Sequence, residues 1–408
     1  MTQGSLTEKL SAHLMRPVDE ATRQRARLHL LDWLGCVAGA RMSGPARKKL
    51  GDYSSRTAWL GNVLEMDDVH RTSILHPGPV IWPSLEIPVA SMTSFLDGAV
   101  RGYEAIIAIG STFDDRHYSF YHNTATAGVF GAAIVSLSDG RVDAEVMVNA
   151  LGLAGSVAGG LWQMRHEQSD AKQWHISHAH MTGVEAGMAA EDGAVGPRFI
   201  LEGPQGLYAA TCDNPKPMVF PDRWRIHDVS FKPWGACRHA HPAIDAALAL
   251  KAKLGSLDGD VHLETYADAI NFCDRPDPQT LIDAKFSLQH AVAIVAERGI
   301  PQLADFEPDM IAALAEARKL VSVSEAEDIT ARYPERYGAR LHCGSETIEI
   351  TDTLGDPERP LSQDGVIDKA RTLIAWGELP EQEADRAIDL ALKGDDPAAI
   401  QNMLKDWL

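Results

Sequence analysis

The 408-residue chain is poor in cysteine, in long apolar runs and in positive charge. Its five cysteines, at 36, 212, 237, 273 and 343, are odd in number, scattered and without a C-x-x-C pair. That excludes a disulfide framework and a zinc–thiolate site, and it suits a reducing compartment. No apolar run approaches the roughly 18 residues that span a bilayer. The first forty residues lack a basic stretch followed by an apolar core and a cleavage site, so a cytoplasmic protein without anchor or export signal is expected. Lys and Arg number 38 against 57 Asp and Glu, a formal charge of −19 with no basic cluster to offset it. Nucleic acid and membranes are therefore excluded as partners. GxGxxG, GxxxxGK[ST], GxSxG and HExxH patterns are also missing, which argues against nucleotide cofactors and the common serine and zinc hydrolases.

What is present is a globular composition, 45% hydrophobic and 23% charged, long enough for one large or two moderate domains. From about 19 to 40, Ala21, Ala26, Leu28, Leu30, Leu31, Leu34 and Val37 recur at three- and four-residue steps, with Asp19 and Glu20 in the first turn. The spacing predicts a buried amphipathic helix. Helices are likewise predicted over Val89–Phe95, Tyr103–Ile109, Ala125–Leu137 and Val146–Leu161. In the last two, Gly128, Gly131, Gly152, Gly155 and Gly159 are too many for exposed helices, where each costs about 1 kcal/mol against Ala, and they predict close helix–helix contact.

After about residue 230 the pattern changes. Val261, Leu263, Thr265 and the run Ala267–Phe272 read as strand, and Arg340–Cys343 and Thr347–Ile350 read as a hairpin about Gly344-Ser345-Glu346. Helices flank them at 240–253, 283–298, 308–319 and 324–331. Beyond Pro360 helices return, one with Glu381 and Glu383 in its first turn and the last opening at Asp396-Pro397. The expected fold is mainly α: a helical domain of residues 1–230 plus 361–408, holding both termini and interrupted by an α+β domain at 231–360.

Sixteen histidines are present, eleven of them (70, 76, 117, 122, 166, 175, 178, 180, 227, 239, 241) between residues 70 and 241. Three segments carry most of the interest. In residues 61–88, Glu65, Asp67, Asp68, His70 and His76 precede Pro77-Gly78, so the acids are expected to end a helix and the histidine to begin a loop. Paired carboxylates beside histidines serve proton transfer, because like charges raise one pKa and a carboxylate fixes a tautomer. A solvated acidic helix end is the competing reading. In YHNTATAGVFGAA, residues 121–133, Asn123 or Thr124 is the expected N-cap, which sets His122 at the positive end of a helix. A plain capping or packing role competes there. In the third group, Lys172 and His175 stand one helical step apart, and Lys232, Arg238 and His239 form a second cationic set ahead of a helix. Together they suit a small anionic substrate with two or more carboxylates. A metal site is the weakest reading: His178-x-His180 and His239-x-His241, with Asp67 or Asp68, have a spacing some metallohydrolases use.

Along these segments the chain resembles the 2-methylcitrate dehydratase family, MmgE/PrpD, which includes 2-methylcitrate dehydratase, cis-aconitate decarboxylase and iminodisuccinate epimerase. The resemblance runs through LLDWLGCVAGA, LEMDDVHRTSILHPG, GYEAI, HNTATAGVFGAA, LGLAGSVAGGLW, ILEGPQGLYAA, FKPWGACRHAHPAIDAAL, AKFSLQHAVA and a late helix with Lys369. It implies that the α+β domain is a lid, that the protein is a homodimer, and that catalysis needs no metal or organic cofactor. The family's acidic positions fall on Glu65 and Asp68, its loop histidine on His76, its pre-helical histidine on His122, and its Lys-x-x-His pair on Lys172 and His175. Its second-domain basic motif falls on Lys232, Arg238 and His239. Val69 stands where Thr is common, Glu65 where Asp is common and His290 where Tyr is usual, and the segment from about 40 to 60 is short.

The chemistry so implied is removal of a proton α to a carboxylate or imine. Loss of a β-hydroxyl, loss of CO₂ or return of the proton to the other face then follows. The leading expectation is a hydro-lyase like 2-methylcitrate dehydratase. The alternatives are an epimerase of an imino or amino diacid such as iminodisuccinate, and a decarboxylase of the cis-aconitate type. Lys172 and Arg238 are expected to stabilise the aci-carboxylate. His122 and His76 share the base and acid roles in either order, Asp68 orients a histidine and His175 contacts substrate. Glu65, Lys232, His239 and His290 join Arg238 in binding.

Overall fold

The structure, a computed structural model, describes residues 4–44, 46, 55–87, 89–137, 143–167 and 169–408. Part of the short 40–60 segment therefore lies outside the described residues. In chain order the helices are α1 (Leu6–Leu14), α2 (Glu20–Ala40), α3 (Arg56–Leu60), α4 (Gly78–Ile81), α5 (Met92–Gly110), α6 (Asp115–Phe120), α7 (Asn123–Ser136), α8 (Ala144–Gly155), α9 (Ala171–Glu191) and α10 (Leu207–Thr211). Then come α11 (His241–Leu254), β1 (Val261–Thr265), α12 (Ala267–Cys273), α13 (Leu281–Lys285), α14 (Leu288–Arg298), α15 (Pro308–Ala313), α16 (Ala315–Lys319), β2 (Val321–Glu325), α17 (Glu327–Thr330), β3 (Ala339–Cys343) and β4 (Glu346–Ile350). Three helices close the chain: α18 (Gln363–Trp376), α19 (Glu381–Lys393) and α20 (Pro397–Trp407). With 58% helix and a single four-stranded sheet among the described residues, the protein is mainly α.

The chain divides into two compact units: Met1–Val63, Asp67–Val229 and Ser362–Leu408 form the first, and Leu64–Met66 with Ser230–Leu361 the second. Both chain ends lie in the first. Its helix starts follow local chemistry: Ser5 and Glu8 make a capping box on α1, and the Asp19 side chain accepts from the Thr22 N–H at α2. From His29 to Ala40 every residue of α2 is buried, so this half of the helix has no solvent face. Met92–Phe95 and Tyr103–Ile109 are parts of one helix, α5, capped by Ser91, so the expected helix start at Val89 falls three residues early. The glycines bring helices together as expected: a Cβ on Gly131 would lie 2.9 Å from Ile106 Cβ of α5, and one on Gly128 3.1 Å from Ala179 of α9. On α9 itself, added carbons at Gly183 and Gly187 would run into the Val129 carbonyl and the Ser136 hydroxyl of α7. Gly152 instead packs on the irregular Gly196-Pro197 segment, and Gly159 makes no such contact. Helix α8 ends at Gly155, and Gly159 stands in the open segment that follows.

In the second unit the sheet order is β2-β1-β3-β4, with β1 parallel to β2 and antiparallel to β3. Val261, Leu263 and Thr265 of β1 and Ala339, Leu341 and Cys343 of β3 share the buried face, the alternation expected of a sheet covered on one side. The β3–β4 hairpin turns on two residues, Gly344 at φ 59° and Ser345, and Glu346 already pairs with Cys343. Four expectations change here. Ala267–Phe272 is helix, with its buried residues Ala269 and Cys273 four apart. The 283–298 stretch breaks because Ser287 caps a new helix, accepting from the His290 N–H. The 308–319 stretch breaks at Leu314. Val321–Glu325 is a strand, leaving only Glu327–Thr330 of the helix expected at 324–331.

Candidate active site

In the first unit the histidine segments converge at one end of α7. His122 is itself the N-cap, where Asn123 or Thr124 was the expected cap, and its side chain makes no capping bond. Its backbone N–H donates to the Gly160 carbonyl at 2.9 Å. Its ring lies 4.6 Å from the Trp162 ring and 5.6 Å from that of His175, centroid to centroid. Burial, and then the charges of His175, Lys172, His76 and Arg165, push the His122 imidazolium well below the usual histidine range, so the ring is neutral. His175 is lowered too, first by burial and then by His178. The Nδ1 atoms of His122 and His175 are both buried without a hydrogen-bond partner among the described residues. Lys172 and His175 are the second and fifth residues of α9.

His76 reaches this cluster from an irregular loop. Its backbone N–H donates to Thr124 Oγ1 at 3.1 Å, and its Nδ1 stands 2.8 Å from Asp67 Oδ2. The Asn62 amide donates to the same oxygen at 2.7 Å. Asp68 instead turns inward: its Oδ2 accepts from His29 Nδ1 at 2.8 Å and Tyr103 Oη at 2.6 Å, and its Oδ1 accepts from the Gly78 N–H at 2.8 Å. The histidine that Asp68 orients is thus His29, while Asp67 faces His76. The acids do not end a helix, because α3 stops at Leu60 and a run of turns precedes them.

Glu65 belongs to the second unit. It is buried with φ at 56°, a left-handed conformation that costs a non-glycine residue of order 1 kcal/mol, and its Oε2 lies 3.4 Å from Lys232 Nζ. Lys285 Nζ donates to the Leu64 carbonyl at 2.6 Å, tying the same short segment into this unit. Arg238 is paired: its Nη2 meets both oxygens of the buried Asp356 at 2.5 and 2.6 Å, while Nη1 is a buried donor without an acceptor among the described residues. His239 Nδ1 bonds Tyr266 Oη at 2.7 Å, and its ring stacks on Phe272 and Tyr337. His290 is placed otherwise than expected of a binding residue. Its Nε2 faces the Asp305 carbonyl at 2.9 Å and its Nδ1 faces Arg318 at 3.3 Å, so both ring nitrogens are occupied inside the core.

Several other histidines are structural. His180 donates to the Val80 carbonyl, His117 pairs with Asn123 and stacks on Phe113, and His70 closes a tight turn with Leu75. Neither histidine pair of the metal reading gathers ligands. Among the described residues the acids and histidines that come within ligating distance of one another are Asp352, Asp356 and Glu358, and Asp356 already holds Arg238. Residue-level reading missed Trp162 and Arg165, whose guanidinium lies 4.0 Å from the Trp162 ring. It also missed His29 and Tyr103, whose role depends on a partner more than thirty residues away.

A helical unit with a histidine–lysine cluster, in one chain with an α+β unit holding buried cations, defines a class of two-unit, mainly α proteins. Within that class the chain belongs to the MmgE/PrpD family: the MmgE/PrpD N-terminal domain matches residues 57–219 and the MmgE/PrpD C-terminal domain residues 234–394. The family is enzymatic, comprising hydro-lyases and related activities. A search of curated proteins finds no match.

Proposed function

We propose that the protein is a hydro-lyase acting on a small hydroxy di- or tricarboxylate, like 2-methylcitrate dehydratase, by proton abstraction α to a carboxylate. The observation that carries the reading is the convergence on His122: a buried, neutral imidazole ringed by Lys172, His175 and His76. A neutral imidazole accepts a proton, and the Lys172 ammonium favours the negative charge that develops on the aci-carboxylate. His122 is the base. His76, held against Asp67, is the acid that meets the leaving hydroxyl. Lys172 and His175 bind the carboxylate beside the reacting carbon. From the family resemblance, Lys232 and Arg238 Nη1 take the remaining carboxylates, Glu65 and His239 support them, and the second unit serves as a lid.

Epimerisation of an imino or amino diacid is the second reading, favoured by the buried apolar Val69 where a Thr hydroxyl is common. Incubation with candidate acids in D₂O decides between them. Dehydration yields an absorbing alkene, epimerisation exchanges the α-proton without other mass change, and decarboxylation releases CO₂. Stoichiometric zinc, iron or manganese in the purified protein would overturn the cofactor-free account. The homodimer is also a proposal, supported by the exposed apolar side chains of Phe120, Val157, Leu161 and Trp174. Light scattering at a monomer mass would refute it.

A further inference from the structure

We propose that Tyr103 is a positioning residue: with His29 it holds Asp68 as an acceptor of three hydrogen bonds, and Asp68 in turn fixes the Gly78 amide and so the loop that presents His76. The assignment rests on the reading of His76 as a catalytic group. The chain of contacts is continuous. Trp82 Nε1 donates to Tyr103 Oη at 2.8 Å, Tyr103 Oη to Asp68 Oδ2 at 2.6 Å, and the Gly78 N–H to Asp68 Oδ1 at 2.8 Å. Gly78 follows His76 by two residues, and only glycine fits there, since a Cβ would lie 2.6 Å from Asp68 Oδ1. All of Asp68, His29, Tyr103 and Trp82 are at most 2% exposed, so water does not substitute for these donors.

The clamp depends on the charge of Asp68. An ionised carboxylate accepts from all three donors, whereas a protonated one becomes a donor at one oxygen and must release a bond. Its surroundings pull both ways. Helix α2 contributes His29, Arg25 and Asp32, α5 contributes Tyr103, α18 contributes Lys369 bonded to Asp32 at 2.5 Å, and its own loop contributes Asp67 and His76. Burial pushes Asp68 up to about 6, while the bonds from Tyr103 and Gly78 hold it down. Loss of the Tyr103 hydroxyl therefore lets Asp68 take its proton at a higher pH.

The test is the pH profile of Tyr103→Phe and Asp68→Asn beside the wild type. On a turned-over carboxylate, kcat of the wild type falls as pH drops through about 6. In Tyr103→Phe that limb moves up by about one unit. In Asp68→Asn it disappears, with kcat about a hundredfold lower and KM nearly unchanged. A uniform loss with an unmoved limb, as from a merely structural role, overturns the proposal. Hydrogen exchange of the 70–81 segment, corrected for intrinsic pH dependence, tests it without substrate. Protection in the wild type drops roughly tenfold from pH 7 to pH 5, earlier in Tyr103→Phe and not at all in Asp68→Asn. Identical, pH-independent protection in wild type and Tyr103→Phe refutes the clamp. Exchange as expected, with no turnover of any di- or tricarboxylate, refutes only the functional reading.

Discussion

Around His122 in the first unit, burial and the neighbouring His175, Lys172, His76 and Arg165 all disfavour the charged imidazole, and the Nδ1 atoms of His122 and His175 are left without a hydrogen-bond partner among the described residues. In the second unit each buried cation has its acceptor: Lys232 faces Glu65, Arg238 grips Asp356, and Arg318 Nη1 donates to the Ile311 carbonyl at 2.6 Å. The difference teaches where reactivity and where stability reside. The open ring nitrogens of His122 and His175, beside Lys172, retain capacity to hydrogen-bond an anionic ligand. Groups already paired have spent most of theirs, and removing a partner strands a charge in low dielectric.

The sharpest way to break this comparison is to truncate the cluster around His122. His122→Ala and Lys172→Ala are each expected to lower kcat by about 10²–10⁴ on the true substrate with the circular dichroism spectrum unchanged. Near-wild-type turnover in both would remove the cluster from the mechanism. Next in size, Asp356→Asn leaves the Arg238 guanidinium uncompensated and is expected to destabilise the protein by about 3–5 kcal/mol in urea denaturation. A loss under 1 kcal/mol would mean that Arg238 is not held by Asp356 in solution.

A smaller effect separates the paired interior by pH. Burial pushes His290 down to about 4, whereas in the unfolded chain it titrates near 6.5. Between these values the unfolded state binds more protons. The contribution of a neutral His290 is therefore complete above about 6.5 and is lost as pH falls toward 4, by about 1.4 kcal/mol per unit. Denaturation at pH 7, 6 and 5 should show His290→Gln with a shallower decline than the wild type. A parallel decline would be the contrary result. Last, Lys393→Ala removes an exposed i,i+4 pair with Asp389 and should leave the denaturation midpoint unchanged. A clear shift would show that pairing counts at the surface as it does inside.

How much of this was readable from the chain depends on the range of the interaction. Helix α2, the β3–β4 hairpin and the Asp396-Pro397 helix start were legible, because periodicity, turn residues and caps act within a few residues. The strand at 321–325 was not: VSVSE is short and runs into acids that resemble a helix start, and its partner β1 lies sixty residues upstream. The histidine segments were visible as segments, and the grouping of His122 with Lys172 and His175 came from the family resemblance. The division of labour between Asp67 and Asp68 was hidden. Two adjacent aspartates look alike in sequence, and only His29, Tyr103 and Gly78, supplied by three other places in the chain, tell them apart.

Helices α7 and α9 meet through Gly128, Gly183 and Gly187 with almost no side-chain padding between their backbones. For anyone altering substrate choice, that seam marks territory closed to mutation: added carbons at Gly183 and Gly187 meet the Val129 carbonyl and the Ser136 hydroxyl, and one at Gly128 crowds Ala179 and Val80. The freedom to diversify lies at the exposed Val157 and Leu161, whereas Gly160, at φ 112° with an added carbon 2.6 Å from Ala125, and Trp162, against the His122 ring, are held to the site. Variation can then reshape what is admitted to the chemistry while His122, Lys172 and His175 keep their mutual spacing.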